Sequence, residues 1–205
     1  MTLVIKKNMK KLNNILKTII DSNLDSFQKI PEQENSIKNI IQILIKARDN
    51  KRSIFTMGNG GSGSTASHFT SDLLKTAITK NNNRFSAFSL TDNLPVILAW
   101  SNDSSFENIF EEQLKNHLKK NDILIGFSGS GTSKNLISAF RYAKKIGATC
   151  IGITGMKGGN FPKICDYCFF APSNNMLMIE SIHLTLCHII VESIRKLGTP
   201  KFNYD

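Results

Sequence analysis

At 205 residues, 40% of them hydrophobic, the chain is long enough to bury one sizeable core and short for two. Its formal net charge of +10 comes from lysines and arginines scattered over stretches that read as solvated helix faces, without the basic-aromatic interleaving of a nucleic-acid surface, and leaves a positive field suited to an anionic metabolite. No apolar run reaches the roughly 20 residues of a membrane helix, and lysines interrupt any signal-peptide core in MTLVIKKNMKKLNN, so a soluble cytoplasmic protein with no membrane partner is expected.

Leu3, Ile5, Leu12, Ile15, Leu16, Ile19 and Ile20 recur at helical spacing and predict a helix from about residue 4 to residue 30, ended by Pro31. Ile37, Ile40, Ile41, Leu44 and Ile45 predict a second amphipathic helix over 32–48. Together these form an N-terminal helical extension, residues 1–50, whose apolar faces need an oligomer to cover them. From 51 to 198 the pattern changes to short apolar runs: SIFTMG (53–58), RFSAFSL (84–90), DILIGFS (122–128), TCIGITG (149–155) and YCFFAP (167–172). Runs spaced for crossover helices read as strands of a parallel sheet buried on both faces, with helices over about 65–79, 106–118, 133–146 and 176–196. The class is α/β: one five-stranded sheet of flavodoxin-like order flanked by helices, with the two leading helices added. Cys150, Cys165, Cys168 and Cys187 suit reduced thiols, and the lone Cys165-Asp-Tyr-Cys168 lacks the second ligand pair of a zinc site.

Ligands of an open parallel sheet bind beyond the carboxyl ends of its strands. Two such ends carry unusual turns, GNGGSGST (58–65) after the first strand and SGSGTS (128–133) after the third, each leading straight into a helix. Glycine lets backbone approach an anion, and hydroxyls plus the free N–H groups of a new helix supply donors, which is chemistry for a phosphate. Neither turn has the lysine of a nucleotide P-loop, and the acidic residue that would hold a ribose is missing from TKNNNRF, so a phosphate ester fits better than a dinucleotide.

His68 and Asp72 lie four apart on the helix that begins at the first turn, and Glu180 and His188 lie eight apart on the last helix, each pair on one face. His183 falls off that line, and His117, among lysines, reads as a surface residue. Two carboxylates and two imidazoles can bind a divalent metal or move a proton between adjacent carbons. Glu180 carries weight because a carboxylate in MLMIESIHLTLCHII is rarely buried without a partner.

GNGGSGSTASHF with SGSGTSKN resembles the sugar isomerase (SIS) domain family, and within it the phosphoheptose isomerases, over nearly the whole chain. The resemblance implies that Ser128, Ser130 and Ser133 hold the phosphate and that Asn59, Gly60, Ser62 and Asp92 contact the substrate. It implies further that His68, Asp72, Glu180 and His188 hold zinc, with Asp72, Glu180 and His188 catalytic and sites built between subunits of a homotetramer. Asp72 stands where the family has a glutamate, Glu180 where it has a glutamine, and Leu177 and Met178 where it has an Asp-Arg pair. The expected activity is an aldose-ketose isomerisation of a heptose 7-phosphate through an enediol, for surface polysaccharide. The alternatives are isomerisation of another sugar phosphate and a non-catalytic sugar-phosphate-binding or replication-initiator-binding protein. Retention of the acid-base set favours catalysis.

Overall fold

The structure, a computed structural model, describes residues 3–204, with side chains from residue 8 onward, so Leu3 and Ile5 lie outside the described side chains. Strand β1 (Ser53–Gly58) pairs in parallel with β2 (Ser86–Ser89) on one side and with β3 (Ile123–Ser128) on the other. Strands β4 (Thr149–Gly155) and β5 (Tyr167–Ala171) extend the sheet beyond β3, giving the order β2-β1-β3-β4-β5. That is the flavodoxin-like order expected from the sequence. Because the chain leaves β1 toward β2 and then returns to β3 on the opposite side, the crevice between the ends of β1 and β3 is the switch point at which such sheets bind ligands.

The helices are α1 (Leu3–Gln28), α2 (Glu34–Asp49), α3 (Gly61–Ser71), α4 (Leu94–Asp103), α5 (Glu111–His117), α6 (Lys134–Ile146), α7 (Phe161–Ile164) and α8 (Met176–Leu197). Alternation along the strands divides the core. Ile54, Ile125, Phe127, Ile151 and Ile153 join Ile40 and Leu44 of α2, Phe69 of α3 and Ile182, Leu186 and Ile190 of α8 on one face. Phe55, Met57 and Leu124 join Leu114 of α5, Leu136 and Phe140 of α6 and Phe161 of α7 on the other. Each such buried side chain contributes roughly 1.5–3 kcal/mol relative to exposure. One buried polar contact orients α3: Thr56 Oγ1 lies 2.7 Å from Thr70 Oγ1 and donates to the Ala66 carbonyl at 3.0 Å.

Four local features differ from the sequence expectation. Helix α3 starts at Gly61, inside the glycine-serine turn, and runs on into a π-helical turn, Asp72–Thr76. The helix expected over 106–118 divides into a 3-10 turn, Phe106–Asn108, and α5. Helices α4 and α7 were not anticipated; α4 buries none of its residues and leaves Leu94 and Leu98 more than half exposed. Finally, α8 is by length and composition apolar enough to cross a membrane, contrary to the expectation from apolar runs, although half of its apolar window is buried against the protein's own core. The four cysteines are free thiols, and burial pushes that of Cys150 up to about 12.

His183 is fully buried in α8, 6.1 Å from the Phe127 ring, with neither ring nitrogen within hydrogen-bonding geometry of a protein partner. Burial lowers its pKa to about 4, against a smaller opposing contribution from the Thr154 backbone. Folding therefore holds this imidazole neutral. Its contribution is complete above pH 6.5, where the unfolded imidazole is also neutral, and is lost as pH falls toward 4, at a cost of about 3 kcal/mol. Denaturant titrations from pH 7 to pH 4 should show His183→Leu losing less stability on acidification than the parent. Parallel curves would show that His183 is not held neutral by the fold.

Candidate active site

The two turns at the switch point are joined by a reciprocal amide pair. Asn59 Nδ2 donates to Asn135 Oδ1 at 3.0 Å, and Asn135 Nδ2 returns a bond to Asn59 Oδ1 at 2.8 Å. Asn135, 2% exposed in the first turn of α6, also accepts from the Leu136 N–H. The sequence reading gave Asn59 to the sugar and overlooked Asn135; in the structure the Asn59 side chain braces one turn against the other.

The serine turn is built around Ser128, whose Oγ lies 3.4 Å from both Ser130 Oγ and Ser133 Oγ and accepts from the Gly131 N–H at 3.1 Å. Gly131 takes φ +64°, and a Cβ there would fall 2.2 Å from the Gly158 carbonyl oxygen, so the turn can close only with glycine. Ser62, Ser128, Ser130 and Ser133, with Asn59 and Glu180, line a cavity of about 150 Å³. Its floor of hydroxyls lies beside the N-termini of α3 and α6, where unpaired N–H groups favour an anion. Gly60 leads into α3 at φ +54°. Asp92 lies elsewhere, beyond β2, where its Oδ1 accepts from Ser67 and Thr91, and it does not line this cavity.

The structure divides the expected four-residue set. His68 Nε2 and His188 Nε2 are 3.0 Å apart, and Asp72 Oδ2 lies 3.3 Å from the first and 3.9 Å from the second. Glu180 is not with them; its carboxylate lies over Gly61, where a Cβ would fall 2.5 Å from Oε2, at the serine-lined end. The physical reason is helix rise: eight residues can share a broad face, but they separate Glu180 and His188 by about 12 Å along α8. Both histidines are about half exposed while Asp72 is largely covered, so the cluster opens at the protomer surface. Two imidazole nitrogens turned toward one another and one carboxylate oxygen, all within 4.8 Å, form a donor set that fits a divalent ion of zinc type.

A hydroxyl-lined cavity at the switch point and an imidazole-carboxylate cluster further along the same helix pair make up the candidate site. The SIS domain family matches residues 19–155, and the chain belongs to that family. Among its relatives, phosphoheptose isomerase from Clostridium acetobutylicum is 31% identical over 90% of this chain and 95% of its own length. The Campylobacter jejuni phosphoheptose isomerase is 32% identical over 85% and 97%. A solved phosphoheptose isomerase from Francisella tularensis superposes with a TM-score of 0.81 at 26% identity, covering 92% of this chain and 98% of that one. One from Neisseria gonorrhoeae, at 23% identity and a TM-score of 0.84, shares the fold over 90% and 99%.

Two substitutions test the anion seat in opposite directions. Ser130→Ala removes a donor and should weaken inorganic phosphate binding about ten-fold by calorimetry. Glu180→Gln removes a negative charge from the lining of the same cavity and should strengthen it. Equal affinity in all three proteins would reduce the turn to a structural element.

Proposed function

We propose that the chain is an aldose-ketose isomerase interconverting sedoheptulose 7-phosphate and D-glycero-D-manno-heptose 7-phosphate, acting as a cytoplasmic homotetramer that supplies heptose for surface polysaccharide. The observation that carries this reading is the placement of the serine-lined cavity and the His68-Asp72-His188 cluster at different heights along α3 and α8. Such a separation suits an extended sugar phosphate held by its phosphate at one end and reacting at C1 and C2 at the other. The names and 31–32% identities of the relatives support the same substrate.

In this reading the hydroxyls of Ser128, Ser130 and Ser133 and the first N–H groups of α6 bind the phosphate, while Gly60 and Ser62 face the sugar chain. Asp72 takes the proton from the carbon beside the carbonyl, and His188 donates one to the carbonyl oxygen, giving a cis-enediol. Asp72 then returns the proton to the neighbouring carbon while the hydroxyl on the first carbon gives its proton back to His188 and becomes the new carbonyl, which completes the exchange. Glu180, at the phosphate end, accepts hydrogen bonds from substrate hydroxyls rather than acting as the base. Alternatively, His68, Asp72 and His188 would hold zinc, which when bound would supply a Lewis acid for the substrate oxygens in place of the proton from His188.

Assembly is supported by apolar surface that the protomer leaves uncovered. Helix α1 presents Leu12, Ile15, Leu16, Ile19, Ile20 and Leu24, each 44–55% exposed, and α4 adds Leu94 and Leu98. Partner subunits would also cover the half-exposed histidines.

Incubation with sedoheptulose 7-phosphate in D2O, followed by NMR, should show the aldose product with deuterium at the exchanged carbon, and light scattering should give the mass of four chains. Phosphate binding without turnover would assign the chain to a non-catalytic SIS protein. A monomer at micromolar concentration would remove the shared site.

A further inference from the structure

A cavity of about 330 Å³ adjoins the cluster on the side away from the serine turn, lined by Asp72, Thr76, His188, Val191, Arg195 and Tyr204 among others. The contacts around it converge on the π turn. Its defining bond runs from the Ala77 N–H to the Asp72 carbonyl at 2.8 Å, and within it Thr76 Oγ1 donates to Asp72 Oδ1 at 2.8 Å. Asp72 Oδ2 is then the oxygen turned toward the two histidines. The terminal torsion of an aspartate is broad and nearly two-fold, so a fixed donor on one oxygen decides the plane in which the other is presented.

The turn is itself held from outside. Arg195, 8% exposed, donates through Nη1 to the Thr76 carbonyl and through Nη2 to the Phe202 carbonyl, both at 3.0 Å. The Tyr204 ring covers the guanidinium at 4.5 Å. Lys75, inside the π turn, lies 4.9 Å from the Phe202 ring centroid and 4.5 Å from that of Tyr204, and donates to the Tyr204 hydroxyl. The tail that brings these rings into place is pinned by the Lys80 N–H to the Thr199 carbonyl at 2.7 Å and the Lys201 N–H to the Ile78 carbonyl at 3.0 Å, around a bridge between Thr79 and Pro200.

We infer that Thr76 and Arg195 are positioning residues for Asp72, and that tail residues 198–204 are the strap that completes the clamp; the inference rests on the isomerase reading above. Arg195 suits this role because its planar fork bonds two carbonyls at once while its face stacks on an aromatic ring, which a lysine cannot reproduce. The π turn closes the C-terminal end of α3, and its last residue reaches back to its first.

The test separates the hydroxyl from the clamp. Thr76→Val keeps the shape and removes the donor; kcat for sedoheptulose 7-phosphate should fall about ten-fold with KM held within about two-fold, and Thr76→Ser should restore it. Arg195→Lys, and separately a chain ended after Leu197, should speed amide hydrogen exchange over residues 72–77. Unchanged kcat in Thr76→Val, or a loss that Thr76→Ser does not recover, would overturn the role of the hydroxyl. Unchanged exchange in both clamp variants would overturn the clamp. If the parent turns over no sugar phosphate, the isomerase reading fails, and the exchange measurement still decides whether Arg195 and the tail hold the turn that carries Asp72.

Discussion

The paired amides of Asn59 and Asn135 are the contact on which the rest of the site depends. Parallel pairing places the ends of β1 and β3 side by side, but it leaves the turns beyond them free to diverge. Two reciprocal hydrogen bonds at 2.8 and 3.0 Å, one partner being 2% exposed, fasten the glycine turn to the first turn of α6. Buried amides left unpaired would each cost about 1–3 kcal/mol, so the pair is strongly disposed to stay closed. Closure brings the N-termini of α3 and α6 toward one anion, and the serine hydroxyls fill the space between them. Preorganisation of this kind moves the entropic cost of forming the seat from binding to folding.

Helix α8 supplies the second constraint, because it passes both ends of the proposed substrate path. Glu180 in its second turn faces Gly61 and the serines, and His188 about 12 Å further on faces His68 and Asp72. The opposing element, α3, is arranged in the same way: Ser62 in its first turn lines the serine cavity, and His68 near its far end and Asp72 in the π turn that follows form the cluster. Two packed helices with matched functional positions thus make a ruler. The phosphate end is rich in donors and the reacting end in groups that exchange protons. Glu180 is the exception, since a carboxylate beside the anion seat opposes phosphate unless substrate hydroxyls use it as an acceptor.

The strand runs were legible because each is a short, predominantly apolar stretch between turn residues; RFSAFSL marked β2 although only Ser86–Ser89 pair, at the sheet edge where Phe88 is exposed. The glycine-serine turns were legible because so few roles require that composition at a strand end. Helix α4 was not, since LPVILAWSND lacks a polar face and turns only Ile97 and Trp100, each half-buried, toward the core. The grouping of Glu180 with His188 failed for a reason built into periodicity, which reports the face a side chain shares and not its height along the axis. The π turn at Asp72–Thr76 left no compositional trace, and Asn135, although it ends the SGSGTSKN motif, gave no sign of its pairing with Asn59. Each involves contacts between residues far apart in the chain, Thr76 with Arg195 in one case and Asn135 with Asn59 in the other.

Position on the protomer surface links chemistry to assembly. His68 and His188 are about half exposed and Asp72 is largely covered, so within one chain water has free access to the imidazoles and little to the carboxylate held by Thr76. Proton transfer through an enediol gains from excluding that water, because electrostatic interactions strengthen and the intermediate is protected from side reactions. The apolar faces of α1 and α4 create the drive for association, since leaving seven or more large side chains near half exposure is costly at roughly 25 cal/mol per Å² of apolar surface. In the proposed isomerase an oligomer would supply the dry environment at His68 and His188, whereas the Asn59–Asn135 brace lies entirely within one chain.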